Sequence, residues 1–370
     1  FWLKRRRPMT ASSGWAEERW DVAGGDGHAH RVILGLRGFE VDRQLGRGQY
    51  GTAHLVRWVA AGQAGASEQP LPGLPDDTHE AVAKVVLLDQ LKDKDRALAL
   101  QEVEVLRRLR HPNVVAHYTS WRHGGSGRGG AAGLEALVTL MEFCAGGDLR
   151  GLLEAHAKTG MYLAERTVLN YFSQLLQGIR YVHEQKILHR DLKTSNMLLD
   201  AEQRVVKIGD FGIARVLEST VAVAITTLGT PYYMSPEVCK GEPYREKSDM
   251  WSLGCVLYEM CVLRHAFESQ SLLGLVYCIV SERYDPVPVD RYSAAIGDLV
   301  ARLLAKAADE RPSASEALAA EALQRHLVAA DAALPPPPPS LHQGVLSVGP
   351  EPPPTPRGGL AESPHAVESS

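Results

Sequence analysis

The sequence predicts an α+β fold, with a strand-rich N-terminal part carrying one main helix and a helical C-terminal part. Three observations carry this expectation. In FEVDRQLGRGQYGTAHLVRWV, from Phe39, apolar and polar residues alternate around a glycine-rich turn, the period of two strands joined in a hairpin. Between Asp93 and Leu109 the apolar Leu98, Val103, Leu106 and Leu109 fall on one helical face. After Gly146 and Gly147 the period becomes helical, with long amphipathic segments over Arg166 to His183, Ser248 to Leu263 and Ala294 to Ala305.

Taken in order, residues 1 to 38 mix Gly, His, Arg and Ser without sustained periodicity and read as a mobile leader. The strand hairpin follows, then a polar, Gly- and Pro-rich loop from Ala60 to His79 that ends at a short apolar strand, AVAKVVLL. The helix from Asp93 is stopped by His111-Pro112. A second glycine-rich stretch, GGSGRGGAAG, precedes another apolar strand, ALVTLMEF. Between Leu188 and Glu237 the chain is polar and rich in loops. From residue 327 the runs PPPPP and EPPPTPR oppose a packed fold, so residues 327–370 read as a disordered tail. The expected folded domain is therefore 39–326, dividing near 143 and 144 into the strand-rich and helical parts. Neither an internal repeat nor a heptad seam is visible.

A chain of 370 residues with 45% hydrophobic content is long enough and apolar enough for a sizeable core. Its formal net charge of -4 supplies no general attraction to nucleic acid or anionic membrane. Five cysteines without a CxxC pair or metal-ligand spacing suit a reduced, intracellular compartment. No apolar run approaches the ~18 residues that span a bilayer, and Lys4 to Arg7 precede polar residues where a signal peptide would be apolar. The basic run KRRR reads as a solvated tail or as an import or anion-binding patch.

The chemistry is carried by residues spread over both parts. Gly46, Gly48 and Gly51 in GRGQYG give the hairpin a tip with few side chains, whose backbone N–H groups can close over phosphates. Alone, this is equally a glycine-rich hairpin with no ligand. Downstream, Lys84 in AVAK is placed to reach α- and β-phosphates, and Glu102 on the helix to hold its ammonium. The loop ILHRDLKTSNMLL then sets Asp191, Lys193 and Asn196 in the HRD-x-x-x-x-N spacing of phosphoryl transfer. Asp191 is the candidate for orienting or accepting the hydroxyl proton, Lys193 for offsetting charge on the phosphoryl group, and Asn196 for holding Mg2+. Asp210 in DFG is the second candidate metal ligand, with Phe211 buried behind it. These types are needed because the catalyst mainly positions reactants and neutralises charge on the γ-phosphate oxygens.

In this set of motifs the chain resembles the protein kinase superfamily over residues 39 to 326, which implies the two-lobed kinase fold with ATP between the lobes. HRDLK resembles the serine/threonine branch. KIGDFGIARVLEST, LGTPYYMSPE, KSDMWSLGCVLYEMC and HAFES, with LMEFCAGGDL and LKTSNMLL, resemble the NIMA-related (NEK) kinases. The resemblance implies that the nucleotide contacts run through Leu45, Gly46, Arg47, Gly48, Gln49, Tyr50, Gly51 and Thr52. It also makes Met141 the gatekeeper, Glu142 to Cys144 the adenine-binding hinge, and Ala53 and Val82 the roof. Glu237 and Arg311 match an ion pair that fixes the end of the activation segment. Asp249 matches the buried aspartate that anchors the catalytic loop; it reads equally as a carboxylate in a first helical turn. Ala53 stands where the superfamily usually has Val, and related NEK sequences vary there.

The connection from Gly51 to Lys84 is longer than the family usual, so Ala60 to His79 reads as an exposed insertion or a poorly spliced segment, and loop entropy grows slowly enough for a solvated insertion to leave the site intact. The given sequence shows no heptad pattern like the coiled coil that many NEK kinases carry after the catalytic domain, so dimerisation by that route is not expected from it. The expected function is an ATP- and Mg2+-dependent serine/threonine protein kinase with protein substrates. Its rivals are a pseudokinase scaffold and an adaptor whose proline-rich tail binds SH3 or WW domains. By resemblance, Thr226 is the phosphorylated activation-loop threonine, with Arg190 as its cationic partner, and Thr230 belongs to the substrate-binding end of that loop. By the same resemblance the β-branched Ile213, directly after DFG, implies a threonine preference; it reads otherwise as a residue that merely packs under the activation segment. Cytoplasm or nucleus is the expected location, with centrosome or cilium implied by resemblance.

Overall fold

The computed structural model of the chain describes residues 21–23, 29–31, 39–47, 51–58, 78–123, 135–210 and 231–326. All of these lie within Phe1–Ala329, one of two units into which the chain divides; the other is Ala330–Ser370. Ahead of Phe39, the strands β1 (Asp21–Ala23) and β2 (Ala29–Arg31) pair antiparallel, with Val22 opposite His30. This departs from the reading of 1–38 as a leader without regular structure. The signal was a glycine cluster, GGDGH, between two short runs, of the kind that joins a hairpin.

The N-terminal lobe is a five-strand antiparallel sheet in the order β3-β4-β5-β7-β6. Its strands are β3 (Phe39–Arg47), β4 (Gly51–Trp58), β5 (Glu80–Leu87), β6 (His117–His123) and β7 (Ala136–Glu142). Alternation divides each strand between two faces. Ala81, Ala83, Val85 and Leu87 join Phe39, Val56, Val138 and Leu140 in one apolar cluster, with Phe39 set edge-on against Trp58 at 5.0 Å. On the other face Val86, Leu88 and Leu137 pack against Val103 of α1 (Asp93–Leu106).

Helix α1 ends three residues before the sequence-predicted Leu109. After Leu106 the chain tightens, with Arg108 N–H donating to Val105 O at 3.0 Å and Leu109 N–H to Leu106 O at 3.2 Å. The Tyr181 hydroxyl then accepts the Arg110 N–H at 2.8 Å. Leu109 is buried all the same, so the apolar pattern was read correctly and the backbone geometry was not.

The C-terminal lobe is built from α2 (Leu149–Thr159), α3 (Glu165–Glu184), α4 (Pro236–Cys239), α5 (Glu246–Val262), α6 (Leu272–Ser281), α7 (Ala294–Leu303) and α8 (Ala314–Leu318). A small sheet, β10-β9-β8, joins β8 (Gly147–Asp148), β9 (Met197–Leu199) and β10 (Val206–Ile208). Helix α2 carries end signals that the sequence reading passed over. The Asp148 carboxylate accepts the Gly151 N–H at 2.7 Å, and Gly160 closes the helix at φ 67°, a left-handed cap that suits glycine.

Helix α5 corrects the amphipathic reading of Ser248 to Leu263. Its residues from Ser248 to Cys261 are all buried, so it runs through the lobe's core instead of lying on it. Helix α7 stops at Leu303, short of the expected Ala305, because the carbonyls of Ala305 and Lys306 accept hydrogen bonds from the Arg311 guanidinium at 2.8 and 3.2 Å. Cys239, Cys255 and Cys261 are buried thiols. Among the described residues no helix is long and apolar enough to cross a membrane.

Candidate active site

The sheet presents one face to a cleft. Directly opposed residues of neighbouring strands share a face, and the register sets Gly46 against Ala53, Ala53 against Lys84 and Val82 against Met141. Leu45 sits in the irregularity between Gln44 and Gly46, half-buried. Gly51 is required where it stands, because a Cβ there would lie 2.0 Å from the Val85 carbonyl oxygen. Behind Met141 a small cavity is lined by Lys84, Glu102, Leu106, Val115, His117, Gly209 and Asp210.

Lys84 Nζ lies 3.0 Å from Glu102 Oε1 and 3.6 Å from Asp210 Oδ1. The Glu102 carboxylate, seconded by Asp210, raises the Lys84 pKa above its ordinary value despite burial, so the ammonium stays charged. Helix α1 thus supplies the carboxylate and β5 the cation.

The opposite wall is the loop before β9. Asp191 Oδ2 accepts hydrogen bonds from Lys193 Nζ at 2.9 Å and Asn196 Nδ2 at 3.0 Å, while Asn196 also bonds the Asp191 carbonyl at 2.8 Å. The Gly209 N–H donates to the Asn196 carbonyl at 2.9 Å, tying the loop that carries Asp210 to the loop that carries Asp191. His189, fully buried, completes this tie. Its Nε2 donates to Gly209 O at 3.1 Å and its Nδ1 accepts the Asp191 N–H at 3.3 Å, an assignment that requires a neutral ring. Burial lowers the His189 pKa, which agrees. Arg190 and Asp210 hold φ of 68° and 47°, left-handed values that cost free energy in non-glycine residues, one in each of these two tied loops.

These loops are held from below by α5. Asp249, fully buried, spends both oxygens. Oδ2 accepts the His189 N–H at 3.0 Å and faces His183 Nε2 at 2.8 Å, and Oδ1 accepts the Arg190 N–H at 3.0 Å and the Tyr244 hydroxyl at 2.5 Å. Burial alone would raise its pKa, but the His183 bond and the other donors bring it below the ordinary value. Further along, Glu237 pairs with Arg311 through two bonds of 2.8 and 2.7 Å and accepts Ser248 Oγ at 2.7 Å.

The structure brings together Lys84, Glu102, Asp210, Asp191, Lys193 and Asn196, and it places Arg190, Asp249, Glu237 and Arg311 as supports. For two of the expected nucleotide contacts the structure gives the partners. The Thr52 side chain lies opposite Val85 on the far face of the sheet, where its Oγ1 bonds His54 Nε2 at 2.8 Å, so only its backbone borders the cleft. In the hinge, the Glu142 N–H donates to Ala116 O at 2.9 Å, and its carboxylate is held by Lys207 at 2.8 Å and the Ala116 N–H at 3.1 Å. Cys144 is half-buried, and burial pushes its thiol up to about 12. Arg47 is exposed at the end of β3. Gly48, Gln49, Tyr50, Phe211, Ile213, Thr226 and Thr230 lie outside the described residues.

Sequence reasoning missed one polar network. Thr194, next to Lys193, bonds the Tyr233 hydroxyl at 2.9 Å and Glu259 Oε1 at 3.2 Å; Tyr233 also donates to Glu259, and His265 Nδ1 lies 3.5 Å from the same carboxylate. The signal was a lone carboxylate, Glu259, inside the apolar run of α5.

A protein-family model, the protein kinase domain, matches residues 72–323. The match begins within the long connection between β4 and β5; the glycine-rich hairpin precedes it and joins the sheet through the β4–β5 ladder. Among curated proteins, serine/threonine-protein kinase Nek1 of Mus musculus is 38% identical over 276 residues, covering 75% of this chain and 20% of that protein. Nek4 of Mus musculus is 38% identical over 285 residues, 77% of this chain and 32% of that protein. Nek5 of Homo sapiens is 35% identical over 280 residues, 76% and 36% respectively. The chain thus spans about a third or less of the length of these three relatives. With the domain match laid over β5, α1 and the whole helical lobe, and with the Lys84–Glu102 pair and the Asp191–Asn196 loop facing one cleft, the chain belongs to the protein kinase family.

Proposed function

We propose that the chain is a Mg2+-dependent serine/threonine protein kinase of NEK type, transferring the γ-phosphate of ATP to hydroxyls of protein substrates. The observation that carries this reading is the linked set of charges, in which Lys84 bridges Glu102 and Asp210 while Asp191 is held by Lys193 and Asn196. The donor set fits the metal: Asp210 offers an exposed carboxylate and Asn196 an amide oxygen, hard ligands of the kind Mg2+ takes beside phosphates. Held by Asp210 and Asn196, Mg2+ would supply positive charge against the nucleotide's phosphate oxygens.

The chain's own groups do the remaining work. Lys84 binds the α- and β-phosphates, held at the correct depth by Glu102. Asp191 orients the acceptor hydroxyl and takes its proton as the oxygen bonds to the phosphorus and the bond to ADP breaks. Lys193 offsets the charge that gathers on the phosphoryl oxygens. The intact set favours turnover over a pseudokinase scaffold. For the tail, the proline runs at 335–339 and 351–357 support SH3 or WW domains as a partner class.

Purified chain with ATP and Mg2+ on an array of peptides paired as Ser and Thr versions tests the assignment. Transfer that depends on Mg2+ is expected, with higher kcat/KM for Thr because of Ile213. Absence of transfer to every peptide, from folded protein able to bind ATP, would support the scaffold instead.

Regulation is proposed to act through Thr226. The Arg190 guanidinium lies 6.0 Å from the Tyr244 ring centroid and makes no ion pair among the described residues. A phosphate on Thr226, bringing about -1.5 to -2 charges, would give it a partner and order the loop. Phosphatase treatment and Thr226→Ala are each expected to lower kcat/KM; unchanged activity after both places the switch elsewhere.

A further inference from the structure

We infer that Glu135 is a positioning residue for the proposed phosphoryl transfer, acting by clamping the outer end of α1 to the sheet so that Glu102 meets Lys84. The inference rests on the kinase reading above and adds a residue that none of its motifs contains.

Helix α1 packs through Val103, Ala99 and Leu100 on the sheet and through Leu106 on the main core, non-directional contacts that leave its orientation to polar ones. It buries Leu98 and Val103, and its inner attachment is the pair between Glu102 and Lys84 at 3.0 Å. A rigid rod fixed at one polar contact still pivots about it. A second contact removes that freedom, and Arg96 supplies one. It lies six residues before Glu102, about 9 Å along the axis at the usual rise, and its guanidinium pairs with the Glu135 carboxylate.

Glu135 is itself immobilised at the entry to β7. Its N–H donates to Asp89 Oδ2 at 2.5 Å, its carbonyl accepts the Leu88 N–H at 2.8 Å, and it is 8% exposed. Its second oxygen accepts Arg122 Nε of β6 at 2.6 Å. One carboxylate therefore joins the helix to two strands of the sheet that carries Lys84. A buried carboxylate with two guanidinium partners holds geometry that a solvated pair does not.

Because Arg96 is on the helix and Arg122 is not, the two partners separate positioning from simple support of the sheet. Glu135→Gln and Arg96→Met are each expected to lower kcat by about 10- to 100-fold with the peptide KM little changed, the loss that a misplacement near 1 Å brings. In kcat the double variant should be no worse than either single, since both break the same Arg96–Glu135 pair. Arg122→Met should stay within about twofold of the unaltered kcat while lowering the thermal midpoint. Hydrogen exchange of the α1 amides reads the clamp without turnover, and it should quicken in Glu135→Gln and Arg96→Met but not in Arg122→Met. Unchanged α1 exchange in Glu135→Gln overturns the inference, as does an unchanged kcat, or an Arg122→Met loss equal to that of Arg96→Met. If the unaltered chain transfers no phosphate, the kinase reading fails, and the exchange comparison still decides whether the clamp exists.

Discussion

In Asp191→Asn, kcat is expected to fall by about 100- to 10,000-fold, with ATP affinity close to that of the unaltered chain. The geometry separates the two effects. Asp191 Oδ2 is held by Lys193 and Asn196, on the catalytic-loop side, while the nucleotide's phosphates are assigned to Lys84, which Glu102 keeps charged from the opposite wall. An amide at 191 keeps one acceptor oxygen for those donors but cannot take the proton of the acceptor hydroxyl. The fold is carried by Asp249 below and should change little. Single-turnover phosphorylation of the best array peptide, beside nucleotide titration, measures both quantities. Turnover at the unaltered rate would remove Asp191 from the mechanism.

Arg311→Ala is expected to cost about 3–5 kcal/mol of folding stability, because it leaves the Glu237 carboxylate buried without its cation. Arg311 is 1% exposed and binds both Glu237 oxygens together with the carbonyls of Ala305, Lys247 and Lys306. The same pair sets a pH dependence. Burial alone would raise the Glu237 pKa, but the bonds from Arg311 and Ser248 overcome it and hold the carboxyl at about 2, against an ordinary 4.5. Its contribution is therefore complete above pH 4.5 and is lost as pH falls through 2, about 3 kcal/mol in all. Without Arg311 this slope should flatten or reverse, since a buried carboxyl with no cation is more stable protonated. Denaturant unfolding between pH 5 and pH 2 reads both effects; equal slopes in the two proteins would show that the pair is not the source.

Much of this site was legible because its chemistry is local in the chain. Asp191, Lys193 and Asn196 occupy one loop, and Asp210 follows shortly, so spacing alone proposes that they converge. Lys84 and Glu102 were legible for another reason: strand alternation and helix period put each on a defined face. What escaped was long-range. The Arg96–Glu135 clamp joins residues 39 apart, and Thr194–Glu259 joins residues 65 apart, with no periodicity to announce either. The face that the Thr52 side chain takes was not legible either, because a glycine-loop motif names consecutive residues, whereas a strand sends alternate side chains to opposite faces. Helix α5 was read as amphipathic because polar residues interrupt its apolar run; in the fold Ser248, Asp249 and Glu259 are its internal polar contacts.

Those three side chains have one more consequence. Asp249 holds the amides of His189 and Arg190, Glu259 holds Thr194 and Tyr233, and Ser248 reaches Glu237, so one helix fixes the catalytic loop and the base of the segment beyond it. A helix buried along its length leaves the core only when the lobe opens as a whole. Heat inactivation and loss of the helical lobe should then be a single cooperative event, with the His189 and Arg190 amides among the last protons to exchange with solvent. The strand lobe is built the other way: α1 buries only Leu98 and Val103 along its length and is oriented by the charges of Glu102 and Arg96, so that local adjustment of Lys84 and Glu102 is available without melting the sheet.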